Sequence, residues 1–238
     1  MYDDNYSAYP DDYAMYQMSL AEYTANTFRW MALGLLATFT TAYLSYRTGL
    51  IYEVVMRFYP AIFILAIAEI IMVLVLSARL DRISVNTATG LFFAYAILNG
   101  FTFGIYLAIY TSSTLYYVFL VTAVFFGLMA FYGKTTQTDL TALRPYLLGG
   151  LVCLMVFWIM SMFLDFSSVE QIASLAGVAI FLAYTAYDMQ KVRKYHQYYS
   201  GDGVMLQKTS IIAALALYLD FVNLFLYLLR ALGRGSRK

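Results

Sequence analysis

The chain has 238 residues, of which 62% are hydrophobic and 12% charged, with a net charge of +1. A soluble domain of this length carries about twice that share of charged residues, so a soluble globular enzyme is excluded. The near-neutral balance removes the basic field that nucleic-acid binding needs, and one cysteine with one histidine excludes a disulfide framework and any Cys/His metal centre.

The N-terminal stretch "MYDDNYSAYPDDYAMYQMSL" is acidic and lacks an apolar core, unlike a signal peptide. Residues 1–22 read as an acidic, tyrosine-rich disordered tail. Seven apolar segments follow, each near the roughly 20 residues that a membrane-spanning helix needs. They run from Thr24 to Tyr46, then over 60–77, 85–107, 114–132, 145–164, 169–190 and 207–230. Pro60 and Pro145 open the second and fifth, a position that suits proline's missing N–H. The expected fold is an all-α integral membrane protein: a domain over 23–232 followed by a basic tail, 233–238.

Charges in the short loops set the expected orientation. Arg79, Arg82, Lys134, Arg144, Lys191, Arg193, Lys194 and Lys208 share one side, and only Arg47 and Arg57 lie opposite. The N-terminus is therefore expected in the cytoplasm. The tail "RALGRGSRK" breaks the pattern, because seven crossings would put its cations outside. The seventh segment either crosses despite them or re-enters. Most of the 24 tyrosines, including Tyr116 and Tyr117, read as interfacial anchors.

Ionisable residues inside a membrane are rare and either functional or paired. Asp220 is the deepest, in "ALYLDFVNLFLYLLR", with Asn223 one turn and Tyr227 two turns further on the same stripe. Asp188, in "AYTAYDMQKV", shares its face with Tyr184 and Thr185. The loop between their helices is short, so the helices are expected to be antiparallel neighbours. If the carboxylates meet, they titrate as a pair, and a hard cation such as Ca²⁺ is the alternative neutralising species. The bland reading is that each acid is capped and only holds helices together. Glu69 falls mid-segment in "AIFILAIAEIIMVLVLS"; Arg79 and Arg82 lie at its end and could latch Asp188. Arg29 reads as an anchor or a partner for an internal acid, His196 as solvated, and Gly100 with Gly104 as a helix-packing GxxxG.

Four stretches, "AYTAYDMQKV", "ALYLDFVNLFLYLLR", "AYAILNGFTFG" and "YGKTTQTDLTALRPYLLGGL", resemble the Bax inhibitor-1 (transmembrane Bax inhibitor motif) family, in its bacterial form. The resemblance covers roughly residues 24–232 and leaves out the acidic tail. It implies seven transmembrane helices with the C-terminal helix central, in the bacterial inner membrane. It also implies a pH-sensitive calcium leak gated by a di-aspartyl pair matching Asp188 and Asp220, with Glu69 on the ion path; Asn223, one turn from Asp220, is a further candidate for that path. The family's latch arginine aligns with Leu80, between Arg79 and Arg82. Ca²⁺ and protons are the implied ligands, with no permanently bound cofactor. Intramembrane aspartyl proteolysis would need a GxGD motif, and the second acid here stands in "LYLD", so an enzyme is not expected. The rival reading is a regulatory protein that binds a membrane-bound AAA protease without transporting anything. A secondary transporter would show an inverted repeat or broken helices, and neither is visible.

Overall fold

A computed structural model describes residues 18–57, 61–78, 82–166, 168–233 and 235. Among them the chain is helical throughout: α1 (Leu20–Arg47), α2 (Leu50–Arg57), α3 (Ala61–Ala78), α4 (Val85–Ile109), α5 (Ser112–Thr135), α6 (Arg144–Met160), α7 (Glu170–Tyr199) and α8 (Gly203–Leu232). A 3-10 turn at Leu140–Leu143 leads into α6.

Each of the seven apolar segments coincides with a helix, and the short α2 is an addition that the sequence reading did not anticipate. Boundaries move for local reasons. α1 begins at Leu20 because Ser19 and Glu22 form a reciprocal capping box, Ser19 Oγ accepting from the Glu22 N–H at 3.2 Å and Glu22 Oε2 from the Ser19 N–H at 2.8 Å. The helical domain thus starts within the stretch read as tail; residues 1–17 lie outside the described part. Likewise α8 starts at Gly203, four residues early, because the Asp202 carboxylate accepts from the N–H groups of Val204 and Met205. α7 continues through the polar "KVRKYHQYY" to Tyr199, and α6 ends at Met160 rather than near 164.

Among the described residues, five helices are long and apolar enough to cross a membrane: α4, α5, α6 with its leading turn, α7 and α8. α1 has the length, but Thr24, Thr27, Thr38, Thr40 and Thr41 dilute its apolar character. Buried threonines on these helices return their hydroxyls to the carbonyl four residues back, as Thr27 does to Tyr23, Thr122 to Val118 and Thr185 to Phe181. That local bond satisfies a hydroxyl which a hydrocarbon surrounding could not.

α8 sits at the centre, packed against α7, α1, α5 and α4, with 72% of its most apolar stretch buried. Its outward-facing neighbours expose isoleucine, leucine and valine: Ile64, Ile67 and Ile70 on α3, and Leu148, Val152 and Ile159 on α6. Such a surface suits lipid rather than water. Gly100 and Gly104 bring α4 onto α1, since a Cβ on Gly100 would lie 2.6 Å from Thr41 Cβ and 2.7 Å from the Thr38 carbonyl. Gly133 performs the same office for α5 against the backbone of α7 at Ala186.

Candidate functional site

α7 and α8 run antiparallel through their tight connection, and α6 lies along their outer side. Between the three is a cavity of about 290 Å³. α6 supplies an apolar wall of Leu151, Leu154 and Met155. α7 contributes Phe181, Tyr184 and Asp188, and α8 contributes Ala216, Leu219, Asp220, Asn223 and Tyr227. Ala216 keeps the space open, because a larger side chain one turn before Asp220 would fill it.

The structure therefore brings Asp188 and Asp220 to one cavity, the meeting that the sequence permitted but did not require. Asp220 is 4% exposed, and its Oδ2 has no hydrogen-bond partner. An unmatched buried acceptor of this kind costs about 1–3 kcal/mol, more when charged. Asp188 is less enclosed, with 12% of its side chain accessible. Asn223 joins the same wall and donates its Nδ2 to the Leu219 carbonyl at 2.8 Å.

The cation beside the pair is Lys191, which no reading of the sequence singled out. Its ammonium lies 3.8 Å from Asp188 Oδ1, one turn along the same helix, and 5.4 Å from the centre of the Tyr195 ring. The i, i+3 spacing from "DMQK" was the signal available. Of the latch candidates, Arg82 is exposed in the α3–α4 connection, and Arg79 lies outside the described residues.

Both ends of the α6 wall are tied by polar contacts. At one end Gln190, two residues past Asp188, clamps the α5–α6 connection: its Oε1 accepts from the Leu140 N–H at 3.0 Å, and its Nε2 donates to the Thr138 carbonyl at 2.8 Å. In the same connection Lys194 binds Asp139 at 2.8 Å. Hydrogen bonds from Lys194 and Thr141 hold the exposed Asp139 carboxyl well below the usual carboxylate range. At the far end Trp158 Nε1 donates to Tyr227 Oη at 3.1 Å, and the Arg230 guanidinium lies over the Trp158 ring at 4.1 Å. Gly177 makes room for Tyr227, whose ring would meet any Cβ placed there.

Glu69 is elsewhere. On α3 it accepts a 2.9 Å hydrogen bond from Thr102 of α4, and it is not among the residues lining the aspartate cavity. Arg29 is exposed on α1. His196, read as solvated, is half-buried and bonds through Nε2 to the Met18 carbonyl at 2.7 Å.

The chain is similar to known proteins over most of its length. The family model described as "Inhibitor of apoptosis-promoting Bax1" matches residues 20–237. The inner membrane protein YbhL of Escherichia coli K12 is 35% identical over 215 residues, covering 90% of this chain and 92% of YbhL. An uncharacterized protein of Borreliella burgdorferi is 36% identical over 213 residues, with 90% and 92% of the two chains covered. One from Deinococcus radiodurans is 37% identical over 209 residues, covering 87% and 88%.

Proposed function

The chain belongs to the Bax inhibitor-1 family of integral membrane proteins, and from that premise we propose that it is a pH-sensitive calcium leak whose gate is the Asp188–Asp220 cavity. The observation that carries this reading is the Asp220 carboxylate, nearly sealed, with an unmatched oxygen in a cavity that a second carboxylate also lines. A purely structural acid would be expected to use its acceptors. Here the energetic cost of leaving one open is understandable if a proton or a cation takes that place in turn.

Two facing carboxylates in a low-dielectric site repel each other when both are ionised, so either a shared proton or a cation relieves them. Among the described residues no group of three or more Asp, Glu, His or Cys side chains gathers anywhere. With each carboxylate binding through one oxygen, Asp188, Asp220, the Asn223 amide and the Tyr184 and Tyr227 hydroxyls supply fewer oxygens than the six to eight that Ca²⁺ prefers. An ion passing here keeps part of its water shell, which favours entry and exit over tight holding. In this reading the chain crosses the bilayer seven times from a cytoplasmic N-terminus, and Lys191 competes with the incoming cation for Asp188.

Calcium entry into proteoliposomes, followed from acid to neutral pH, tests the proposal. Wild type should show a pH-dependent flux that Asp188→Asn or Asp220→Asn makes insensitive to pH, with the double variant no more affected than either single one. No flux at any pH, or flux indifferent to both substitutions, would sink the leak. Attention would then pass to a protein that acts by binding a membrane protease.

A further inference from the structure

The face of α8 opposite the aspartates carries a second buried polar cluster that the cavity does not explain. Tyr218 stands two residues before Asp220, which is about 200° around the helix and about 3 Å along it. Tyr218 is fully buried, and its Oη lies 2.6 Å from Thr38 Oγ1 of α1, which also donates to the Ala96 carbonyl of α4 at 2.9 Å. The Tyr95 ring of α4 packs edge-on to Tyr218, with centroids 5.8 Å apart. One turn further, Asn99 donates its Nδ2 to Tyr95 Oη at 3.2 Å. Glu69 reaches the set from α3, accepting from Thr102, which stands three residues beyond Asn99 on the same helix.

The donors and acceptors of this cluster do not balance. Asn99 is 6% exposed, and its Oδ1 has no partner. Turning the amide over does not cure this, because Oδ1 would then accept from Tyr95 while the two N–H donors would lose their partner. In the arrangement as it stands, Tyr95 Oη accepts from Asn99, so its own hydroxyl proton remains to be donated. Glu69 uses one carboxylate oxygen on Thr102, one turn along α4 from Asn99, and its other oxygen has no hydrogen bond among the described residues. One small ligand able both to donate and to accept closes all three valences: it accepts from Tyr95 O–H and donates to Asn99 Oδ1 and to Glu69. That ligand is water, and three hydrogen bonds are what a buried water ordinarily makes.

We propose that Glu69, Tyr95 and Asn99 hold an ordered water on the face of α8 opposite the aspartates, and that Glu69 with this water forms a second proton-accepting site, separate from the aspartate cavity. A carboxylate needs a hydrogen-bonded route to gain a proton inside an apolar bundle, and the water supplies its last link. The titratable groups facing the site are Glu69 from α3, Tyr95 from α4 and Tyr218 from α8; α1 contributes only the neutral Thr38. Glu69 is then the sole carboxylate of the cluster and titrates without a carboxylate partner, in contrast to Asp188 and Asp220.

Acid-induced infrared difference spectroscopy on the full chain in proteoliposomes reads this directly through the C=O stretch of protonated carboxyls. It needs no ion flux, so it stands or falls independently of the calcium leak. Wild type should show a component that Glu69→Gln removes and that the Asp188→Asn, Asp220→Asn double variant leaves in place. Asn99→Leu should shift that component by stripping a water partner, with Tyr95→Phe as a second variant that keeps the ring packing and removes only the hydroxyl. Each variant is first checked for a monodisperse elution profile. The proposal is overturned if no component depends on Glu69, if the double aspartate variant moves it, or if neither Tyr95→Phe nor Asn99→Leu changes it.

Discussion

The two sides of α8 are built on different terms. Towards α1, α4 and α5 the bundle closes at Gly34, Gly100, Gly104 and Gly133, where a methyl group would run into the Phe92 ring, Thr38 and Thr41, Ser45 and the Ala186 backbone respectively. Towards α6 the contact is looser: Gly149 faces open space, Gly150 meets only the flexible Ile180 side chain, and only 11% of the most apolar stretch of α6 is buried. The aspartate cavity lies on that looser side. Close packing without a hydrophobic drive between helices requires small residues. Where they give way to Leu151, Leu154 and Met155, the contact is imperfect, and the imperfection is where the carboxylates sit.

The largest expected effect falls on the tight side. Gly133→Val drives a Cβ into the Ala186 carbonyl, and overpacking of this kind should cost about 3 kcal/mol. Loss of folded protein in detergent, read by thermal unfolding, is the expected result. Gly149→Ala on α6 is the matched control and should be neutral or slightly stabilising, since alanine favours a helix by up to about 1 kcal/mol over glycine. Equal outcomes for the two would dissolve the contrast between the sides.

Next in size is Asp220→Leu. If the carboxylate is retained for function, replacing an unmatched buried acceptor with an apolar side chain should stabilise the chain by about 1–3 kcal/mol while abolishing calcium flux. A fall in Tm instead would mark Asp220 as the glue between helices.

The smallest effect is at Asp139, in the connection that ties α6 to α7. Because the folded carboxyl sits below its unfolded value of about 3.9, its interaction stabilises the fold above that value and loses its effect as pH falls through the folded pKa. Asp139→Asn should therefore lower Tm slightly at neutral pH, an amount limited by full exposure and screened by salt. The gap from wild type should close in strong acid. A gap that persists there would mean the Thr141 contact matters independently of charge.

Much of the architecture could be read from the order of residues. A run of about 20 apolar residues has one low-energy form in a bilayer, so the seven apolar segments were legible as helices. The caps at Ser19 with Glu22 and at Asp202 went unread in the sequence, because polar surroundings made both stretches resemble tail or loop. The continuation of α7 through "KVRKYHQYY" was hidden for the same reason: hydropathy marks where a helix meets lipid, not where its hydrogen bonds stop. Asp188 and Asp220 stood out because carboxylates among apolar neighbours are costly. Gln190 and Lys191 did not, because nothing in a polar loop-like stretch shows which side chain turns back to clamp a connection.

By itself, then, the sequence determined that the chain is helical, that it belongs in a membrane, and that Asp188, Asp220 and Glu69 are the acids requiring explanation. These are local facts, set by composition and by the energy of each segment in its solvent. Only the tertiary structure decided that the first two share a cavity walled by α6, and that Glu69 instead bonds Thr102 of α4 outside it. Partnership between acids depends on how far one helix slides and turns against the next. That is fixed by close contacts at Gly100, Gly133 and Gly177 with residues of other helices, and the spacing of the acids along the chain does not encode it.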